Sequence, residues 1–308
     1  MPEAKTYPLI IIGAGPAGLA ASIYASRYGV KHIIVGELLG GLISETHLID
    51  NYPGIEDASG FEFSQKLARH AQKYGAEILP ARVKNIQKIN SVFNLEIEGK
   101  EKIKSSVILL ATGTKHRKLN IPGEAEFLGK GVSYCATCDG FFYKKKTVAV
   151  VGGADSAAGA AVYLSGICEK VFLIYRKEKL RAETFWINLI EKNPKIEVVY
   201  NTNVSEILGA EKLQKVKLDK AYKNAETLDI DGLFIEAGSV PNIDFAADLK
   251  LETDGEGYIK IKSDASASVA GVWAAGDITD GSDKFRQVVT ACAEGAIAAR
   301  SISNYLKK

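Results

Sequence analysis

Apolar runs and small-residue stretches alternate along the chain in an order that occurs twice. Tyr7-Pro8-Leu9-Ile10-Ile11-Ile12 leads into Gly13-Ala14-Gly15-Pro16-Ala17-Gly18, then a small-residue stretch to about Tyr28, then Ile33-Ile34-Val35. Val148-Ala149-Val150-Val151 leads into Gly152-Gly153-Ala154-Asp155-Ser156-Ala157, a second such stretch to about Leu164, and Val171-Phe172-Leu173-Ile174-Tyr175. Apolar runs without alternation, passing through glycine into a helical stretch, predict parallel strands buried on both faces with helices as crossovers. Each copy is therefore a strand, a tight turn, a helix and a second strand.

The remaining chain separates by period. Phe61 to Tyr74 reads as an amphipathic helix, while Arg82 to Ile89 and Val92 to Ile97 alternate as an antiparallel meander does. Ser106 to Ala111 is a further buried strand, ending at Thr112-Gly113. Val272-Trp273-Ala274-Ala275-Gly276-Asp277 is another strand and turn, and a helix from about Arg286 to Tyr305 closes the chain. Gly113 to Arg117 and Gly238 to Pro241 are the natural hinges. The expected partition is one domain made of residues 1–114 and 244–308, with a second, 115–243, inserted in it.

Composition narrows the class. The 308 residues suit two domains, and 46% hydrophobic with 25% charged residues is the make-up of a globular protein. Lys and Arg exceed Asp and Glu by 39 − 37 = 2, too even a balance for a nucleic-acid or anionic-membrane surface. Lys144-Lys145-Lys146 reads as a solvated turn. Thr6 to Ser26 lacks charge and has the length of a membrane span, but Gly13, Gly15, Pro16 and Gly18 interrupt it, and Met1 to Lys5 lacks the basic start of a leader. No membrane association and a cytoplasmic location are expected.

Gly13-x-Gly15-x-x-Gly18 follows a strand and opens a helix, the setting in which this spacing binds a dinucleotide. Glycine allows the tight turn and close backbone approach, and the helix N-terminus stabilises the pyrophosphate. Glu37, past the second strand, is either a ligand for ribose hydroxyls or a solvated loop acid. In the second turn Ala154 replaces the middle glycine and Ala157 the last, so the methyl of Ala154 pushes against a pyrophosphate. Where an NAD site places an acid, Tyr175-Arg176-Lys177 stands instead, with Arg181 close behind. Guanidinium groups at a strand end suit a 2′-phosphate, which favours NADPH over NADH.

Cys135-Ala136-Thr137-Cys138 is spaced for redox chemistry or for half a zinc site. Zinc needs two further ligands, and His32, His47, His70 and His116 show no paired spacing. Asp139 follows directly, a carboxylate able to exchange a proton with a thiolate. Cys168 and Cys292 lie in apolar stretches expected to be helical and read as small buried hydrophobes.

Taken in order, Gly13 to Gly18, Asn51-Tyr52-Pro53-Gly54, Ala111-Thr112-Gly113, Cys135 to Asp139, Gly152 to Ala157, Arg176 with Arg181-Ala182, Ala275-Gly276-Asp277 and Arg286-Gln287 resemble the low-molecular-weight thioredoxin reductases. The likeness covers essentially the whole chain. It implies an α/β protein of two Rossmann-like, three-layer nucleotide-binding domains, the second inserted in the first. It also implies a homodimer in which NADPH reduces FAD, and FAD reduces a dithiol that passes electrons to a thioredoxin-like protein disulfide as the NADPH domain rotates. By motif, Cys138 would lie next to the flavin, Cys135 would attack the partner disulfide, and Asp139 would act as acid or base. FAD would be held by Gly13, Gly15, Pro16, Ala17, Gly18, Gly36, Glu37, Gly41, Leu42, Asn51, Val83, Ala111, Gly113, Gly276, Asp277, Arg286, Gln287 and Val288. NADPH would be held by Gly153, Ala154, Asp155, Ser156, Arg176, Lys177 and Arg181.

The chain departs from that family in particulars. Leu42 stands where Gln usually does after Gly40-Gly41, Tyr175-Arg176-Lys177 replaces His-Arg-Arg, and Gly238-Ser239-Val240-Pro241-Asn242 replaces a His-containing run. Most of these departures fall in the nicotinamide half. Two alternatives keep the flavin and dithiol: a ferredoxin or reduced-flavin donor, and a dithiol oxidase that passes electrons to oxygen. A non-catalytic redox sensor is the reading from another class, and the intact dithiol with Asp139 counts against it.

Overall fold

The computed structural model of the chain describes residues 5–307; residues 1–4, which carry most of the segment read above for leader character, and 308 lie outside the described residues. The chain forms two compact units, one from the chain up to Lys115 and again from Val240, the other His116–Ser239.

In the first unit the strand Thr6–Ile12 lies between His32–Val35 and Ile103–Leu110, parallel to both, and Glu77–Leu79 extends the row beyond His32–Val35. Ile10 pairs with Ile33 on one side and Ile108 on the other. Alternate residues of these strands feed two different apolar clusters, which is why the run is continuous rather than alternating. Leu9, Ile11, Ile34 and Leu109 face helices Pro16–Arg27, Gly60–Lys73 and Val288–Leu306. Ile10, Ile12, Ile33 and Ile108 face Ile86, Phe93 and Leu95 of the meander Val83–Ile89 and Val92–Ile97. The layers are thus helices, parallel sheet and antiparallel strands.

Ile103–Leu110 joins these parts. Its start pairs antiparallel with Val92–Ile97, and its end pairs parallel with Val272–Ala274. It begins before the expected Ser106 because Ser105 is buried, its hydroxyl bonded to the Val107 carbonyl at 2.6 Å. The helix expected at Phe61 starts at Gly60, fixed by a capping box in which the Ser59 hydroxyl accepts from Glu62 N–H and the Glu62 carboxylate accepts from Ser59 N–H. The last helix runs Val288–Leu306, later than expected, because Gln287 is its N-cap; Arg286 therefore sits just outside it.

The second unit repeats the plan. Strands Ile196–Val199, Lys170–Ile174, Thr147–Val151, Gly232–Ile235 and Val132–Ser133 form a parallel sheet in that order, with helix Asp155–Ser165 after the second glycine turn. A second meander, Val204–Gly209, Leu213–Tyr222 and Ala225–Asp229, packs Ile207, Val216 and Leu228 with Ile174 and Leu233. Its alternation is broken by bulges and by exposed lysines, so the pattern of the chain did not announce it. Cys168 is buried as expected but lies in the turn past helix Asp155–Ser165, not within it. Cys292 is helical and half-buried, and burial pushes both thiols up to about 11. Among the described residues no helix is long and apolar enough to cross a membrane.

One buried carboxylate ties the strand before the dithiol to its surroundings. Glu124 accepts from the N–H groups of Leu119 and Asn120 at 2.9 and 2.6 Å and from the Tyr134 hydroxyl at 2.5 Å. Burial, and then this bond, push the Tyr134 phenol far above its usual range. Tyr134 precedes Cys135, so the anchor fixes the backbone on which the dithiol stands. Glu124→Ala orphans all three donors and should destabilise the second unit by about 2–4 kcal/mol. Each unit holds one of the two tryptophans. Urea unfolding in a Trp273→Phe background, followed by Trp186 fluorescence, reads that unit directly; an unchanged midpoint would remove the anchor from the account.

Candidate active site

The first glycine turn is shaped by how closely two backbones approach. A Cβ on Gly13 would stand 2.1 Å from the carbonyl oxygen of Ala111, and Gly13 has φ of +117°, so no other residue fits there. Gly13 N–H donates to Val35 at 2.8 Å, and Gly40 N–H donates to Ala14 at 2.8 Å. Gly15 caps helix Pro16–Arg27 and faces Gly40 and Gly41, with the nearest atom 3.7 Å from where its Cβ would be. Ala17 and Gly18 are buried in the first turn of that helix, and a Cβ on Gly276 would meet the Ala17 methyl at 2.9 Å. Gly13, Gly15, Gly36, Gly41, Ala111 and Gly276 therefore converge on one helix N-terminus, a place that favours a phosphate.

Other expected residues extend this region. Asn51 donates to Gln287 at 3.0 Å across 236 positions of chain. Gly113 follows the strand that ends beside Gly13, and Val288 opens the last helix. Leu42 lies half-buried in the turn Gly41–Glu45, and Glu37 is exposed beyond Val35. Val83 differs from the rest: its side chain is part of the apolar core, so it offers packing rather than a polar contact.

The charged groups are held in tension. Burial, reinforced by Glu294 and opposed by Arg286, pushes the Asp277 carboxyl up to about 6. The Arg286 guanidinium lies 3.8 Å over the Tyr258 ring, with Nε and Nη2 buried and without a hydrogen-bond partner among the described residues. A buried guanidinium with unused donors is costly unless a ligand supplies acceptors. With the open glycine turn and the Asn51–Gln287 pair, these donors fit a dinucleotide of the flavin kind.

The second turn repeats the first with changes. Gly152 N–H donates to Ile174 at 3.1 Å, and a Cβ on Gly152 would stand 2.3 Å from the Glu236 carbonyl, as Gly13 stands to Ala111. Gly153 lies against the face of Tyr175, where a Cβ would fall 2.4 Å from the ring, and the Tyr175 hydroxyl is buried without a partner among the described residues. Ala154 caps helix Asp155–Ser165, and Ser156 is exposed. Arg181 N–H donates to Gly153 at 2.7 Å and Glu183 N–H to Asp155 at 2.7 Å, which brings the exposed Arg176, Lys177 and Arg181 to this turn. Tyr175 as the floor of the turn is invisible in a linear reading, although its place after the strand could have suggested it.

Cys135 and Cys138 form a disulfide, Cα atoms 5.3 Å apart, around the short helix Ala136–Asp139. Cys135 is half-buried and caps that helix, its Sγ accepting from Cys138 N–H at 3.1 Å; Cys138 is exposed. Ser133 fixes the approach, its hydroxyl accepting from Cys135 N–H at 3.0 Å. An amide aimed at Cys135 Sγ is placed to stabilise negative charge that develops there. Asp139 N–H donates to the Cys135 carbonyl at 3.2 Å. Phe141 and Phe142, absent from the expected set, follow after Gly140 and are each 71% exposed. Among the described residues no cluster of His, Cys, Asp and Glu could hold a metal.

Residues 7–295 match the family described as pyridine nucleotide-disulphide oxidoreductase. The chain is 40% identical over 304 residues to a thioredoxin reductase of Treponema pallidum, with 97% of each chain covered. It is 37% identical to that of Bacillus subtilis, covering all of this chain and 97% of the relative. Among solved structures, the thioredoxin reductase of Lactococcus lactis superposes with a TM-score of 0.92 at 34% identity, over 98% of this chain and 99% of that one. The glycine turns, the disulfide and these likenesses along its whole length agree: the chain belongs to the pyridine nucleotide-disulphide oxidoreductases and, within them, to the low-molecular-weight thioredoxin reductases.

Proposed function

We propose that the chain is an FAD-dependent thioredoxin-disulfide reductase that takes its electrons from NADPH. The observation that carries this reading is the disulfide itself, partly exposed, with an amide aimed at one sulfur and two bare phenylalanines beside it. The first unit would hold FAD through the Gly13–Gly18 turn, Asn51, Asp277, Arg286 and Gln287. The second would hold NADPH through the Gly153–Ser156 turn, with Arg176, Lys177 and Arg181 taking the 2′-phosphate. Bound there, FAD supplies the two-electron relay between nicotinamide and disulfide.

Once reduced, Cys135 attacks one sulfur of the partner disulfide and the other sulfur leaves as a thiolate. Cys138, its proton passed to Asp139, then attacks Cys135 Sγ; the intramolecular disulfide re-forms and the partner departs as a dithiol. Phe141 and Phe142 offer the apolar surface on which a thioredoxin rests during these steps. Tyr24 on helix Pro16–Arg27 is exposed, as are Tyr28 and Tyr74 just past the ends of helices Pro16–Arg27 and Gly60–Lys73, and together they offer a surface for a second copy of the chain. Cys168 and Cys292 remain thiols, in keeping with a cytoplasmic site of action.

The direct test is anaerobic titration of the flavin-loaded protein with NADPH, followed by oxidised thioredoxin: the flavin should bleach, then recolour. A flavin that stays oxidised with NADPH and NADH but bleaches with dithiothreitol replaces the donor in this reading and leaves the dithiol in place. Cys135→Ser should abolish reduction of the protein disulfide while NADPH still bleaches the flavin; loss of bleaching would overturn the roles assigned to the two cysteines. Arg176→Ala should raise KM for NADPH about tenfold and that for NADH less than about twofold. Equal effects on both would refute the 2′-phosphate site. Phe141→Ala or Phe142→Ala should raise KM for thioredoxin about tenfold with kcat little changed, and an unchanged KM would move the docking surface elsewhere.

A further inference from the structure

A second buried carboxylate lies behind the turn that carries Asp277. Glu294, on helix Val288–Leu306, is 8% exposed and accepts three hydrogen bonds from the segment 276–282. Gly276 N–H donates to Oε2 at 2.8 Å, the Thr279 hydroxyl lies 3.0 Å from the same oxygen, and the Ser282 hydroxyl donates to Oε1 at 2.6 Å. Gly281 is small for the same reason, since a Cβ there would fall 2.6 Å from Glu294 Oε1. The neighbouring Gly295 packs on the Ala17 carbonyl of the first glycine helix, where a Cβ would stand 2.1 Å away. One turn of helix thus grips both the Gly276 turn and the helix that opens at Pro16.

We propose that Glu294 is a positioning residue for the flavin, holding the Gly276–Ser282 turn in register with the Pro16–Arg27 helix and setting its negative charge against that of Asp277. The proposal rests on the reading that flavin occupies this region. The two charged groups acting on Asp277 are Arg286, which favours its ionised form, and Glu294, which opposes it; burial opposes it more than either. A flavin dinucleotide carries hydroxyl donors, and an ionised Asp277 accepts from them more strongly than a protonated one, which keeps only its carbonyl oxygen as a good acceptor. Flavin binding is therefore linked to proton release from Asp277. The flavin-free group has a raised value of about 6, so affinity is full above that pH and falls as pH drops through it.

The test is flavin release from the holoprotein, followed by the recovery of free-flavin fluorescence on dilution between pH 5 and 8. Wild type should release flavin with a dissociation constant that rises below about pH 6, approaching tenfold per unit. Glu294→Gln keeps the shape and much of the hydrogen bonding while removing the charge, so the onset should move down by about one pH unit. Glu294→Asp keeps the charge but cannot span the turn: it should weaken flavin at every pH and leave the onset where it was. Ser282→Ala, at an exposed position, removes one donor and should weaken flavin about threefold at pH 8. A Glu294→Gln profile with its onset unmoved overturns the electrostatic role, and full affinity in both Glu294→Asp and Ser282→Ala overturns the positioning role. Asp277→Asn should flatten the profile. If it leaves flavin release unchanged at every pH, the flavin is not held at this turn, and the functional reading falls together with this inference.

Discussion

The whole arrangement depends on the approach of one strand's end to the glycine that ends its neighbour. In the first unit Gly13 lies against the Ala111 carbonyl; in the second Gly152 lies against the Glu236 carbonyl. Neither contact tolerates a side chain, because the projected Cβ would fall 2.1 or 2.3 Å from an oxygen. Through that approach Ala111 N–H reaches the Ile12 carbonyl at 2.7 Å, and Glu236 N–H reaches Val151 at 2.8 Å. The strand ends are locked together, and the chain leaves each turn directly into a helix whose N-terminal amides lie at the turn. Two nucleotide-binding turns therefore follow from two backbone contacts, and the apolar strands on both sides serve to hold those contacts in place.

Much of this was legible in the chain, because close backbone contact demands glycine and a strand buried on both faces demands an unbroken apolar run. Tyr7 to Ile12 and Gly13 to Gly18 carry both marks, and the structure places strand, turn and helix there within a residue or two. The dithiol was equally plain, since Cys135 and Cys138 have few other uses at that spacing once zinc lacks partners. The second meander was not legible: bulges interrupt its alternation, and lysines on its open face dilute the apolar signal. Cys168 lies past its helix because Gly166 follows Ser165, a stop that the apolar residues around it disguise. Helix starts shifted by a residue or two for the same kind of reason, caps such as Ser59 with Glu62 being decided by hydrogen bonds rather than by hydrophobic period.

The two turns are alike in backbone and opposite in side chain. In the first, Ala14 stands where the second has Gly153, and Gly15 stands where the second has Ala154. The exchange follows from what lies beneath. Gly153 gives way to the Tyr175 ring, whereas the atoms nearest the Cβ positions projected from Gly13, Gly15 and Gly18 belong to backbone and to the Ile11 side chain. The aromatic floor and the Ala154 methyl narrow the space above the second helix, while the loop that brings in Arg181 and Glu183 adds polar reach at its side. The second turn thus offers less close backbone contact and more charged side chains at the strand end, the chemistry that the proposed 2′-phosphate site calls for.

Among the described residues, each unit also contains one buried glutamate that no linear pattern distinguishes from a solvated one. Glu124 gathers three donors behind the dithiol strand, and Glu294 gathers three behind the Asp277 turn. In both cases two or more of the donors belong to irregular chain that apolar packing alone cannot orient, because its backbone groups point in directions no sheet or helix satisfies. A carboxylate with two oxygens and several lone pairs can satisfy such groups together, and its removal would leave most of them unpaired at once. The dithiol and the Asp277 turn lie next to these irregular segments rather than on the sheets, and a buried acid gathers the donors of each. That division of labour explains why the fold can be read from hydrophobic period and the site only in part: the period reports what is buried in oil, whereas the anchors are defined by which donors happen to meet around a single side chain.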